Sequence, residues 1–294
     1  MAKQQNAFAA EPFTAQGSLG RVTESRRSAD RASAQPVLSD DAPERDDREY
    51  VMGLEKGLSV IEAFALVKGP ATLSKLADVT GHSKASVRRC LLTLCRLGHV
   101  TQDGRDFRLA ARTLRLGHAF VASDPLAKVA QPILDVTSER TRESASIAVL
   151  DSQDVVFVAR SMHRRSLSVG LSVGARLPAY CSATGRVLLA GEPRDRVEFI
   201  LNRMSRPALT PRTMTSVTEI LRELDAASAQ GFAICDEELE IGLRSIAVPI
   251  RTGAGALVAA LSLSVKTSRM TREQLTDALL PELERARRSF SDVL

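Results

Sequence analysis

The 294-residue sequence predicts an α+β protein in two parts: three helices with a β-hairpin first, then, past a linker helix, a larger domain built on an antiparallel sheet. Three observations carry this. Gly81 to Gly98 (GHSKASVRRCLLTLCRLG) places Val87, Leu91, Leu94 and Leu97 at spacings of three and four, an apolar stripe along one helix. Asp103-Gly104-Arg105 separates two short alternating segments, the signature of a tight hairpin. From Ser144 onward, paired apolar runs flank short turns and alternate with helical stretches, as hairpins and helices around an antiparallel sheet do.

Residues 1–49 are rich in Ala, Ser, Gln, Arg and Asp without apolar periodicity, and are expected to be a disordered tail. Order begins near Tyr50. Leu54, Leu58, Ile61, Phe64 and Ala65 form a helical stripe ending at Lys68-Gly69-Pro70, and Thr72 caps a short helix through Leu73, Leu76 and Ala77 that stops at Thr80-Gly81. Ser83 caps the next helix, its hydroxyl accepting a first-turn N–H. Gly98, free to turn left-handed, ends it. A short helix, a Gly-containing turn and a longer helix make a helix-turn-helix. The hairpin formed by His99–Gln102 and Asp106–Leu109 is its wing, with Arg105 at the tip, which completes a unit over residues 50–111. Thr113 to Ala122 reads as a helix within a linker over 112–124. Pro125 suits the first turn of a helix through Val129, Ile133, Val136 and Thr137, which opens a domain over 125–294. There Ala145–Leu150 and Val155–Arg160 form one hairpin, Leu167–Leu171 a further strand, and Ile246–Ile250 with Ala256–Val265 a second hairpin. Gly231–Ile234 is a short strand. Ser182–Ala190, Asp195–Asn202, Ser216–Gln230 and Glu273–Phe290 are helical.

Charge is unevenly placed. Residues 1–49 hold seven Lys/Arg and nine Asp/Glu, residues 50–123 eleven and five, and residues 124–294 the remaining 22 and 21. The net +6 of the middle segment is the footprint of a polyanion-binding unit. No Asp or Glu lies between Asp78 and Asp103, and Ser83, Lys84, Ser86, Arg88 and Arg89 crowd the start of the capped helix. Taken alone, that helix also fits an ordinary amphipathic helix with a solvated charged face. With the wing beside it, it fits a DNA recognition helix: Lys84 and Ser86 at base edges, Arg88 and Arg89 at bases or phosphates, Arg105 and Arg108 at phosphate or the minor groove. Arg96, two turns further on, is left out of that set.

Composition narrows the alternatives. Trp is absent and aromatic content is 4%, which argues against stacking on single strands. No apolar run approaches the ~20 residues of a membrane span, and no basic-then-apolar leader opens the chain, so a cytoplasmic protein without a membrane partner is expected. The four cysteines, Cys90, Cys95, Cys181 and Cys235, lack the paired spacing of a zinc site and read as buried free thiols, so no metal or cofactor is expected. Asp236-Glu237-Glu238 and a Ser182 or Cys181 nucleophile would be the parts of an enzyme. His163, however, is the only His beyond residue 123 and lies in a polar run, with no sign of a positioned base, so no catalytic residue is assigned. Gly253-Ala254-Gly255 lies in a hairpin rather than between strand and helix, and is no nucleotide fingerprint.

The second half carries two long motifs. Gly174-Ala175-Arg176-Leu177-Pro178-Ala179 leads into Ser182-Ala183-Thr184-Gly185-Arg186-Val187-Leu188-Leu189-Ala190. Gly231-Phe232-Ala233 and Asp236-Glu237-Glu238 precede Gly242-Leu243-Arg244-Ser245-Ile246-Ala247-Val248-Pro249. These resemble the signatures of the IclR family of bacterial transcriptional regulators, over about residues 50–292. GLRSIAVP together with ESASIAVL at 143–150 is most similar to the branch that regulates the β-ketoadipate pathway, including protocatechuate and 4-hydroxybenzoate catabolism. The resemblance implies a winged-helix domain, a linker helix and a GAF-like effector-binding domain. It also implies homodimers, or dimers of dimers, on palindromic duplex operators, and a small aromatic or aliphatic carboxylate that alters operator binding or activation. The effector pocket it implies falls on Ala183, Thr184, Cys235, Ser245, Ser262 and Ser264, with Val169, Leu177 and Leu243 as the apolar wall. At Cys235 some relatives carry an Asp that hydrogen-bonds the ligand; a thiol is a poorer partner, and Ser245 offers a compensating hydroxyl.

The residues themselves add candidates for a carboxylate. Ser182, Ala183 and Thr184 open a helix whose N–H groups suit an anion. Arg160, Arg176 and Arg244 offer bidentate clamps, each also readable as a surface salt bridge. Ser262 and Ser264 alternate with Leu261, Leu263 and Val265 and so share one strand face. A regulator of another catabolic pathway, answering to another organic acid, is the alternative. A ligand-independent DNA binder is a further one, which leaves the near-neutral second domain unexplained.

Overall fold

The computed structural model describes residues 49–163 and 172–291. The tail expected over 1–49 (Glu49 apart), the strand expected over 167–171 and Val169 therefore lie outside the described residues. The first unit holds α1 (Met52–Leu66), α2 (Leu73–Thr80) and α3 (Lys84–Arg96), with β1 (Ala71–Thr72), β2 (Val100–Asp103) and β3 (Asp106–Leu109) in an antiparallel sheet of order β1-β3-β2. Local chemistry sets the boundaries. Thr72 Oγ1 accepts from Lys75 N, and Gly81 ends α2 at φ 69°. Ser83 Oγ accepts from Ser86 N at 3.2 Å, and Gly98 leaves α3 at φ 78°. Val60, Leu76, Val87, Leu91, Val100 and Phe107 close one small core.

Two expectations shift here. The apolar stripe of α1 does not all face the core: Ser59, Val60 and Ala63 are buried, while Leu54 and Leu58 are exposed. Leu97 lies just past α3 and is exposed as well. A 3-10 turn (Ala111–Thr113) leads into α4 (Leu114–Ser123), none of whose residues is buried. Asp124 caps α5 (Pro125–Thr141), its carboxylate accepting from Ala127 N at 3.0 Å. Val136 on α5 is exposed, outside the buried stripe that Leu126, Ala130 and Leu134 form.

The second sheet is antiparallel with order β6-β5-β4-β9-β8-β7. Its strands are β4 (Ser144–Asp151), β5 (Asp154–Ser161), β6 (Arg176–Pro178), β7 (Ala233–Asp236), β8 (Leu243–Arg251) and β9 (Leu257–Lys266). One face, with Ile147, Ile246, Val248, Leu261 and Leu263, packs on α5 and α9 (Arg272–Ser291). The other, with Ala148, Phe157, Ala247 and Ala260, packs beneath α6 (Ala183–Leu189) and α8 (Val217–Gln230), with α7 (Arg194–Arg203) against α8. Among the described residues, no helix is long and apolar enough to cross a membrane.

The seat of α6 depends on one glycine. A Cβ on Gly185 would stand 2.2 Å from the carbonyl oxygen of Ala179, in the 3-10 turn Ala179–Cys181. Helix propensity alone favours Ala over Gly by about 1 kcal/mol. The clash is with backbone, which cannot swing aside, so overpacking decides the sign. Gly185→Ala is expected to destabilise the protein by about 1–3 kcal/mol, read as a lower urea midpoint; an unchanged or higher midpoint would show that α6 does not sit this close.

Candidate nucleic-acid interface and effector pocket

On α3 the buried side is Ser86, Val87, Leu91 and Leu94. Lys84, Arg88 and Arg89 are exposed, as are Arg105 and Arg108 on the wing. Ser83 is exposed, but its oxygen is occupied in capping. Ser86 departs from expectation: at 9% exposure it faces its own core and is not presented at the surface of α3. The outward stripe, about 100° round the helix from Ser86, runs Ala85, Arg89, Leu92 and Arg96, all exposed. Ser86 falls on the buried side because a one-residue step rotates a helix by about 100°, and Arg96, two turns along, shares the outward stripe with Arg89.

In the second domain, strand register gathers the small polar residues. Cys235 pairs with Ser245, Ser245 with Ser264, and Ser264 with Ser144, one row across β7, β8, β9 and β4. The adjacent row runs Ala233, Ala247, Ser262, Ser146 and Arg160. Both rows lie on the face under α6, where Ala183 and Thr184 are buried. A register shift between Ile147 and Ala148 turns Val158 and Ala159 to the far core and leaves Phe157 and Arg160 on the serine side, with the guanidinium 5.9 Å from the Phe157 ring centroid. Burial lowers the pKa of Arg160, yet a guanidinium remains cationic at neutral pH. Leu177 on β6 is half-buried against the same core, and Leu243 shares the face of Ser245 at the end of β8.

Ser144 and Ser146 alternate along ESASIAVL as Ser262 and Ser264 do along β9, and it is the pairing of β4 with β9 that adds them to the rows. Ser144 is fully buried, and among the described residues its hydroxyl has no hydrogen-bond partner. Ser262 Oγ reaches the carbonyl of Ser146 only at 3.5 Å. Cys235 is already engaged: its thiol donates to the carbonyl of Cys181 at 2.8 Å, and burial pushes its pKa well up.

Three candidates do not join this face. Arg176 is exposed and paired with Asp151 and Asp154. Arg244 forks onto Asp236 at 2.8 and 2.9 Å and donates to the carbonyl of Met270, on the opposite side of β8. Ser182 spends its oxygen on Gly185 N at 3.1 Å as the cap of the seven-residue α6. One arginine that sequence reasoning passed over stands behind the site. Arg186, 1% exposed, donates to Glu238 at 2.7 Å and to the carbonyl of Ile234. Glu238 also accepts from Met214 N, which ties α6 to β7 and to the segment before α8.

Residues 53–104 match the IclR helix-turn-helix domain, and residues 118–292 match the C-terminal domain of the bacterial transcriptional regulator IclR. The chain belongs to the IclR family. Relatives within it include the Pca regulon regulatory protein of Pseudomonas putida, 41% identical over 91% of this chain and 94% of its own. Another is the p-hydroxybenzoate hydroxylase transcriptional activator of Acinetobacter baylyi, 37% identical over 80% and 89%. Among solved structures, an IclR homologue from Microbacterium hydrocarbonoxydans complexed with 4-hydroxybenzoate superposes with TM-score 0.70 at 25% identity, over 82% of this chain and 98% of that one. The IclR-family chain is thus a DNA-binding transcriptional regulator in which a helix-turn-helix is joined to an effector-binding domain, and one candidate site lies in each.

Proposed function

We propose that this IclR-type regulator controls aromatic-acid catabolism and that its effector is a small aromatic carboxylate bound on the serine face beneath α6. The observation that carries the reading is that face itself: the hydroxyls of Ser144, Ser146, Ser245, Ser262 and Ser264, with Arg160 stacked over Phe157 at its edge. A hydroxybenzoate has an anionic end for a guanidinium, a flat apolar ring for Phe157, Leu177 and Leu243, and a ring hydroxyl for serine. The names of the P. putida and A. baylyi relatives, and the 4-hydroxybenzoate of the Microbacterium homologue, support the class. An aliphatic keto-acid is the second reading; it is favoured by Cys235, whose only proton is spent on Cys181 and which offers a ring hydroxyl no donor.

On the DNA side, Lys84, Arg88 and Arg89 enter the major groove of one half of a palindromic operator, while Arg105 and Arg108 on the wing hold phosphate. The working units are residues 50–111 for DNA, 112–124 as linker and 125–294 for the effector. A homodimer, alone or paired into a tetramer, presents two recognition helices in the cytoplasm, where the operator is. Supporting this, α4 buries none of its residues yet exposes Leu114 (77%), Leu116, Phe120 and Val121, and α1 exposes Met52, Leu54 and Leu58. A ten-residue helix is marginal in water without a partner surface.

The test is calorimetric titration of the purified protein with 4-hydroxybenzoate, protocatechuate and β-ketoadipate. One benzoate is expected to bind. Ser262→Ala is expected to weaken it about tenfold, the worth of one hydrogen bond to a charged or polar ligand group, and to leave DNA binding without ligand unchanged. Binding of none of the three, or equal affinity in the variant, counts against the assigned pocket.

A further inference from the structure

We propose that Leu92 reads a thymine 5-methyl group in the operator, which makes it a specificity-determining residue beside the cationic contacts. This rests on α3 lying in the major groove, as proposed above. The stripe Ala85, Arg89, Leu92, Arg96 recurs at four, three and four residues, directly opposite the buried Val87, Leu91 and Leu94. At 1.5 Å per residue it spans about 16 Å, roughly five base pairs at about 3.4 Å each.

Leu92 is 44% exposed at the centre of that stripe, with Arg89 and Arg96 one turn away on either side. Those two cations draw the polyanion onto this surface, and Leu92 is carried against the base edges with them. An alkyl side chain can neither donate nor accept a hydrogen bond. The one feature of the major-groove edge it can tell apart is the methyl of thymine. Its neighbour reinforces the apolar spot. Thr93 is exposed, and its hydroxyl donates back to the carbonyl of Arg89 at 2.9 Å, so its proton is spent within the helix. Leu92 thus supplies sequence information that the arginines, engaged with phosphate or guanine, do not.

The experiment uses the full chain and a duplex site recovered by selection from a random pool. Each thymine is replaced in turn by deoxyuracil, which removes the methyl and nothing else. The wild type is expected to lose affinity at one thymine per half-site by about fourfold, the worth of one buried methyl-sized group. Leu92→Ala is expected to show no loss at that thymine, while Arg96→Ala, which keeps the leucine, still does. If Leu92→Ala binds too weakly to compare, lower salt restores measurable affinity through the phosphate contacts without altering the methyl comparison. A wild type indifferent to every deoxyuracil, or a Leu92→Ala variant with the wild-type pattern of losses, overturns the proposal. Failure of the wild type to select any duplex site would instead strike at the DNA-binding assignment of α3.

Discussion

Arg186→Ala is expected to destabilise the second domain by about 3–5 kcal/mol, the cost of removing one partner from a buried ion pair. The side chain of Glu238 is 6% exposed, and Arg186 is its ion-pair partner at 2.7 Å. With the guanidinium gone, a carboxylate is left in the interior between α6, β7 and Met214, and the carbonyl of Ile234 loses its donor. Part of the cost is charge and part is volume, and a second variant separates them. Arg186→Met combined with Glu238→Leu removes both charges and keeps apolar bulk, so it should recover much of the loss, short of full recovery because Met214 N then lacks its acceptor. Urea unfolding of the three proteins reads this directly. A loss under about 1 kcal/mol for Arg186→Ala, the range of an exposed pair, would mean that the pair is not closed off from water.

The second large effect falls on the other domain. Arg89→Ala removes an exposed cation from the outward stripe of α3 and touches nothing in the core. Operator affinity is expected to fall by about ten- to a hundredfold, the usual worth of an arginine at a base or phosphate. The plot of log affinity against log salt should flatten by about one unit if the contact is to phosphate. Effector affinity should not move, because Arg89 lies on a helix outside the effector domain. Equal loss of ligand and DNA binding would contradict two separable sites.

How much of this was legible in the sequence varies with the kind of interaction. The limits of α3 were readable because a Ser cap and a left-handed Gly are local signals, decided within four residues. The serine rows were half-readable: alternation put Ser262 and Ser264 on one face, but which strands flank β9 is a matter of topology, so Ser144 and Ser146 joined only with the fold. The arginines were least legible. Arg244 and Asp236 meet because they are register partners on β7 and β8, and Arg176 meets Asp151 and Asp154 across the β5–β6 edge; neither pairing has a signature along the chain. The face of α1 was misjudged for a different reason. An apolar stripe shows that a surface seeks cover, not whether its own domain supplies it, and Leu54 and Leu58 are left outside the core that Val60 and Ala63 join.

The most direct single measurement is fluorescence anisotropy of the purified protein on DNA from upstream of its own coding sequence, at moderate salt, with and without 4-hydroxybenzoate, protocatechuate and β-ketoadipate. The expected result is tight binding that one hydroxybenzoate shifts severalfold. Tight binding that every acid leaves unchanged would contradict the effector assignment, and no binding at all would contradict the reading of α3 on which the regulator's mechanism is built.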